Sequence, residues 1–196
     1  ISRQLINLGG RWHDLQLGDR KRLRGLAVAN ANIFIRTLTV QIAFFYFAAS
    51  GARQGDVVLA ANAILLHLFH FMSYGLDGFA FAVEALAGNA FGGRRARELR
   101  AVVLSATAWS GATALMFSIF FWFAGSSLIG LMTNAADVIV VTDTYLPWVI
   151  VAPMVSVWCY LLDGVFFGTM HTRDARNSMI VSAAGFACVV WLTPPA

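Results

Sequence analysis

His67, His70, Tyr74, Asp77, Phe81 and Glu84 follow one another at steps of 3, 4, 3, 4 and 3 residues, which puts all six on one face of a helix. Five of the six are polar, and two are carboxylates that can bind a proton or a cation. Such a stripe requires water or partner groups rather than lipid. It either lines an aqueous cavity or hands each polar group to a neighbouring helix. His67 and His70, three apart, have metal-ligand spacing, but no Cys or carboxylate completes a set nearby, as a structural or catalytic zinc site would need. Ser156, Tyr160 and Asp163 repeat the pattern at steps of 4 and 3. Asn32 and Arg36 lie one turn apart on a third segment rich in Asn, Thr and Gln. A short echo accompanies the acids: Leu76-Asp77-Gly78-Phe79-Ala80-Phe81 and Leu162-Asp163-Gly164-Val165-Phe166-Phe167 share Leu-Asp-Gly-x-x-Phe, the kind of internal duplication found in transporters.

The elements that must carry these residues are bilayer-crossing helices. Of 196 residues, 59% are hydrophobic and 12% charged, against roughly 45–50% and 25% in soluble domains, and residues 101–136 contain no Asp, Glu, Lys or Arg. The reading is an all-α polytopic membrane protein in the lipid bilayer with five spans: Gly25–Ala49, Val57–Phe91, Ala101–Phe123, Tyr145–Met170 and Ser178 to the end. Ser50-Gly51, Gly92-Gly93 and Gly125-Ser126-Ser127 read as loops. The second span is too long for one straight crossing and is expected to tilt, kink near Tyr74-Gly75 or run out into water. Pro147 and Pro153 fall early in the fourth.

Twelve of the fourteen basic residues fall before span one, after span two and after span four. These are alternate loops on one side, so the positive-inside rule puts the N-terminus in the cytoplasm. The same distribution argues against nucleic acid as a partner despite a net charge of +4. Arg36, Asp77, Glu84 and Asp163 lie within spans, where a charge costs about 2.5–3.5 kcal/mol or more and marks a functional candidate. Counting about 1.5 Å per residue from the cytoplasmic ends puts all four in the inner half, with Asp77 deepest at about 20 Å. Arg36 can pair with one acid and cannot neutralise three. Asp77 is therefore either a group that takes up and releases a proton or a helix clamp held by Arg36. Gly88 with Gly92, and Gly164 with Gly168, have the small-xxx-small spacing of close helix packing. Cys159 and Cys188 lie in apolar stretches and offer no disulfide framework. No GxSxG, HExxH, P-loop or dinucleotide-binding motif occurs, so no enzyme is expected.

The stretch Tyr74-Gly75-Leu76-Asp77-Gly78-Phe79-Ala80-Phe81-Ala82-Val83-Glu84-Ala85, followed by Gly88 and Ala90-Phe91-Gly92, closely resembles the multidrug and toxic compound extrusion (MATE) transporters, in their DNA-damage-inducible protein F branch. Asn32-Ile33-Phe34-Ile35-Arg36-Thr37-Leu38, Val157-Trp158-Cys159-Tyr160-Leu161-Leu162-Asp163-Gly164 and Arg176-Asn177-Ser178-Met179 agree. The resemblance implies a bacterial inner-membrane antiporter of two six-helix lobes that expels drugs and organic cations in exchange for protons or sodium, with no cofactor beyond that ion. It places these spans as helices seven to eleven of twelve and 1–24 as the cytoplasmic inter-lobe connection. A first lobe outside this chain is then its partner, and the chain is expected to be a fragment at both ends. By position the resemblance carries over Arg36, Asp77, Glu84 and Asp163, beside the candidates Asn32, His70, Tyr74 and Tyr160, while allowing the main protonation site to lie in the first lobe. The rival readings are an exporter of lipid-linked sugars, from a neighbouring superfamily, and a membrane assembly protein without transport activity.

Overall fold

A computed structural model describes residues 20–192. They form five helices: α1 (Arg20–Arg53), α2 (Asp56–Gly92), α3 (Ala96–Met132), α4 (Ala136–Gly168) and α5 (Thr172–Leu192). All five are long and apolar enough to cross a membrane, and among the described residues there is no strand. The chain is an all-α polytopic membrane protein. The segment 1–24 lies outside the described residues except for 20–24, which already belong to α1.

Two expected loops are helix. α1 runs through Ser50-Gly51 to Arg53, and α3 runs through Gly125-Ser126-Ser127 to Met132. The connection expected over 125–144 thus shrinks to Thr133–Ala135. The glycines mislead because they serve contact rather than turning. A Cβ on Gly51 would lie 2.6 Å from the Asn62 amide, and one on Gly125 would lie 2.8 Å from Leu146. Gly75 is a third case: α2 passes Tyr74-Gly75 without a break, and a Cβ there would meet the Phe117 ring of α3 at 2.6 Å. With 37 residues, α2 is about 55 Å long and overruns a hydrocarbon core of about 30 Å. Because α4 starts at Ala136, Pro147 and Pro153 lie well inside it rather than near its start, with Pro153 buried.

α2, α3 and α4 share the core, where Met72, Leu76, Phe121 and Ile129 are fully enclosed. Apolar side chains gain little from leaving lipid, so close fit and small residues supply the attraction between helices. At the α2–α4 seam a Cβ on Gly164 would overlap the Ala80 carbonyl, and one on Gly168 the Glu84 carbonyl; a Cβ on Gly88 would lie 3.0 Å from the Gly168 carbonyl oxygen. Three of the four spaced glycines therefore make the seam. Gly92 has nothing within 4 Å of its Cβ position and takes no part. These contacts keep one register, so α2 and α4 run in the same direction. α1 pairs with α5, edge to face at Tyr46 and Phe186 (centroids 6.3 Å apart), and meets α2 more lightly.

The α2–α3 and α4–α5 turns are built alike. Each closes with a backbone bond back to the preceding helix (Arg95 N–H to Ala90 O, 2.9 Å; His171 N–H to Phe166 O, 2.8 Å) around a left-handed residue, Arg94 or Met170. Phe91 and His171 rings, 5.8 Å apart, bring the two turns together. The arginines of both turns thus gather at one end of the bundle, while Asp56 and Asp137 start helices at the other.

Candidate functional site

Asp77 and Asp163 come together because the α2–α4 register carries the echoed motifs to nearly one level. They are offset by two residues, about 3 Å along the axis. Arg36 of α1 reaches across and forms an ion pair with Asp163. Its guanidinium carbon also lies 5.3 Å from the centroid of the Phe167 ring, a cation–π placement. The Nε atom of Arg36 is buried without a partner. Asp77 lies within electrostatic reach of Arg36, and Asp163 within reach of Asp77, yet among the described residues Asp77 makes no hydrogen bond or ion pair. Of the three acids open to Arg36, the structure selects Asp163, which leaves Asp163 and Asp77 sharing one guanidinium.

Tyr160 stands one turn from Asp163 and senses both acids. Its hydroxyl donates to Ser73 Oγ at 2.6 Å, and Ser73 donates to the Phe69 carbonyl at 2.9 Å, which ties α4 to α2 beside Asp77. Asn32, one turn from Arg36, is buried and bridges α1 to α5: its amide donates to Thr172 Oγ1 at 3.2 Å and its carbonyl accepts from Arg176 at 2.9 Å. Asn32 and Arg36 thus fasten opposite neighbours to α1.

The remaining stripe residues are not gathered into this cluster. His70 sits among the rings of Phe44, Phe69 and Tyr74, with centroids 6.0–6.4 Å away. His67 is exposed, as are Tyr74 (74%) and Phe81 (69%), all on the side of α2 turned away from its core contacts. Glu84 is half-buried, and its side chain makes no hydrogen bond or ion pair among the described residues. Ser156 is half-buried and likewise unpaired. Among the described residues no group of three His, Cys, Asp or Glu could hold a metal.

Sequence spacing does not single out Ser73 or Thr172; Phe167 closes the second Leu-Asp-Gly-x-x-Phe echo and Arg176 opens a stretch that resembles the family, but neither is marked there as a site residue. Arg176 and Thr172 lie at a helix start, where a basic or hydroxyl side chain reads as topology or capping. Ser73 is off the stripe by one residue, and a lone serine in an apolar helix carries no spacing signal.

The MatE family model matches residues 32–193. The chain is 42% identical over 175 residues to DNA damage-inducible protein F of Escherichia coli K12, covering 89% of this chain and 38% of that protein. It is 26% identical over 166 residues to the probable multidrug resistance protein NorM of Pseudomonas syringae pv. tomato, covering 82% of this chain and 35% of NorM. It is 22% identical over its full length to Protein DETOXIFICATION 45, chloroplastic, of Arabidopsis thaliana, covering 34% of that protein. The chain spans a little over a third of the length of these relatives. No solved structure matches. The chain belongs to the MatE family, in the branch of DNA damage-inducible protein F.

Proposed function

We propose that this chain is the second lobe of a secondary antiporter that exports drugs and organic cations across a bacterial inner membrane in exchange for protons or sodium. The observation that carries the reading is the unequal sharing at the Arg36–Asp163–Asp77 cluster. When all three groups are ionised one negative charge is left uncompensated, in a place where an unpaired charge is costly. One monovalent cation neutralises it, and a proton, a sodium ion and an organic cation all qualify. Occupation by the coupling ion and by substrate then exclude each other, which is the requirement for exchange.

The uncovered face of α2 supplies the second half. His67, Tyr74 and Phe81 are exposed on the side of α2 turned away from its core contacts, and two-lobed carriers bind substrate between lobes that rock against each other. A first lobe facing this stripe would close the cavity. Family membership and the name of the NorM relative support drugs over lipid-linked sugars as cargo. The basic end of the bundle supports a cytoplasmic N-terminus.

The test uses the full-length transporter in proteoliposomes with an imposed pH or sodium gradient. Asp77→Asn is expected to fold and insert normally but to lose cation-driven efflux of an organic cation. The gradient that drives the wild type names the coupling ion. Wild-type efflux by Asp77→Asn would overturn the assignment, and an intact transporter that moves lipid-linked sugars and no drug would favour the rival cargo.

A further inference from the structure

The α2–α3 turn carries a basic concavity that lies apart from the Arg36–Asp163–Asp77 cluster. Arg94, Arg95, Arg97 and Arg100 are all exposed there, with Glu98 as the one acid among them. Arg95 is already engaged: it donates to Asn89 Oδ1 at 2.5 Å and pairs with Glu98 at 2.9 Å. Arg94, Arg97 and Arg100 make no side-chain hydrogen bond or ion pair among the described residues. Beside them lies a cavity of about 520 Å³, walled by Arg94 and Arg95 and floored by Ala90, Phe91, Ala96 and Leu99.

The neighbouring turn shows what is particular here. At the α4–α5 connection Arg176 is held by Asn32 and Asn177, and Arg173 has Asp174 beside it. That turn carries two arginines and one acid, against four arginines and one acid at the α2–α3 turn. At the α2–α3 turn three of the four arginines have no side-chain partner among the described residues, and they border apolar surface at the ends of two long apolar helices. Topology accounts for the sign of such a turn; it does not call for a cavity with a charged wall and an apolar floor.

A ligand that fits both surfaces has an anionic head and an apolar tail. We propose that this turn binds the headgroup of an anionic phospholipid, with the phosphate against Arg94 in the field of Arg97 and Arg100 and the start of the acyl chains over Phe91 and Leu99. A free phosphate would use the wall and leave the floor exposed. A zwitterionic lipid would bring a choline cation toward three unpaired guanidinium groups. Arg94 has φ 54°, so Arg94→Gly removes the charge at a position whose backbone glycine adopts without strain, and the turn is expected to survive.

The test is binding of acyl-labelled phosphatidylglycerol to the full-length transporter in neutral detergent, with unlabelled phosphatidylglycerol, phosphatidylcholine or inorganic phosphate as competitors. Only unlabelled phosphatidylglycerol is expected to compete. Each arginine near an anionic surface contributes about 1 kcal/mol, so Arg94→Gly with Arg97→Gln is expected to weaken binding about 30-fold, while Arg173→Gln at the other turn stays within about twofold. Should the first pair disturb the turn, Arg97→Gln with Arg100→Gln repeats the measurement on α3 alone. Unchanged affinity in either pair, equal weakening by Arg173→Gln, or competition by inorganic phosphate would overturn the proposal.

Discussion

Asp163→Asn should destabilise the protein, and neutralising Arg36 as well should restore most of the loss. The pair joins α1 to α4, with side chains 17% and 26% exposed. Removing one partner of a fully buried pair costs about 3–5 kcal/mol, and an exposed pair contributes about 0–1 kcal/mol. With roughly a fifth of each side chain accessible, the loss should lie near 2–3 kcal/mol, or about 30- to 150-fold in the folded population. Most of that cost is the guanidinium left half-buried, since its Nε already lacks a partner. Arg36→Gln with Asp163→Asn removes the stranded charge and should recover to within about 1 kcal/mol of wild type, a coupling that a double-mutant cycle isolates. Asp77→Asn should by contrast cost little, because Asp77 makes no ion pair. The assay is thermal or denaturant unfolding of the full-length transporter in one fixed detergent. Equal destabilisation by Asp77→Asn and Asp163→Asn, or no rescue in the double variant, would refute the unequal sharing on which the functional reading rests.

Gly164→Ala and Gly168→Ala should each destabilise by about 1–3 kcal/mol, the usual cost of overpacking, because the added methyl meets the backbone of Ala80 or Glu84; Gly92→Ala, in open space, should be silent in the same unfolding assay. Cysteines at Gln54 and Asn134, exposed in the two short turns away from the basic end, should label from outside intact cells and one at Gly93 should not; equal labelling of all three would refute the orientation. Tyr160→Phe should cost about 1 kcal/mol by leaving Ser73 without its donor, and an unchanged unfolding midpoint would refute that bond. Residues 1–196 expressed without a first lobe should confer no drug resistance, since one lobe has nothing to rock against; measurable resistance would refute the two-lobed reading.

How far this fold could be read in advance follows from which forces leave a periodic trace. Helices in lipid must satisfy every backbone group internally, so five apolar stretches announce five helices, and the 3-4-3 spacing of α2 announces one polar face. Helix ends leave a weaker trace. A glycine that lets two helices touch and a glycine that turns the chain are the same letter, and Gly51, Gly75 and Gly125 proved to be of the first kind. Gly93 marks the turn correctly because its neighbour Arg94 takes the left-handed conformation that closes the helix.

The site was half legible for a related reason. Buried ionisable residues stand out in an apolar chain, so Arg36, Asp77, Glu84 and Asp163 could be named from their cost alone. Which acid Arg36 would choose could not, because that depends on the α2–α4 register, and the register is fixed by Gly164 and Gly168 fitting against the Ala80 and Glu84 carbonyls. That fit brings the two Leu-Asp-Gly motifs side by side with an offset of two residues. Phe167 then lies one turn beyond Asp163, under the guanidinium that pairs with it. A one-turn slip along the seam would move Asp163 and Phe167 together relative to Asp77 and hand Arg36 a different choice of partner. The same glycines that hold α2 against α4 therefore set how the two carboxylates sit relative to each other, while Asn32, Thr172 and Arg176 hold the α1–α5 pair that brings Arg36 to them.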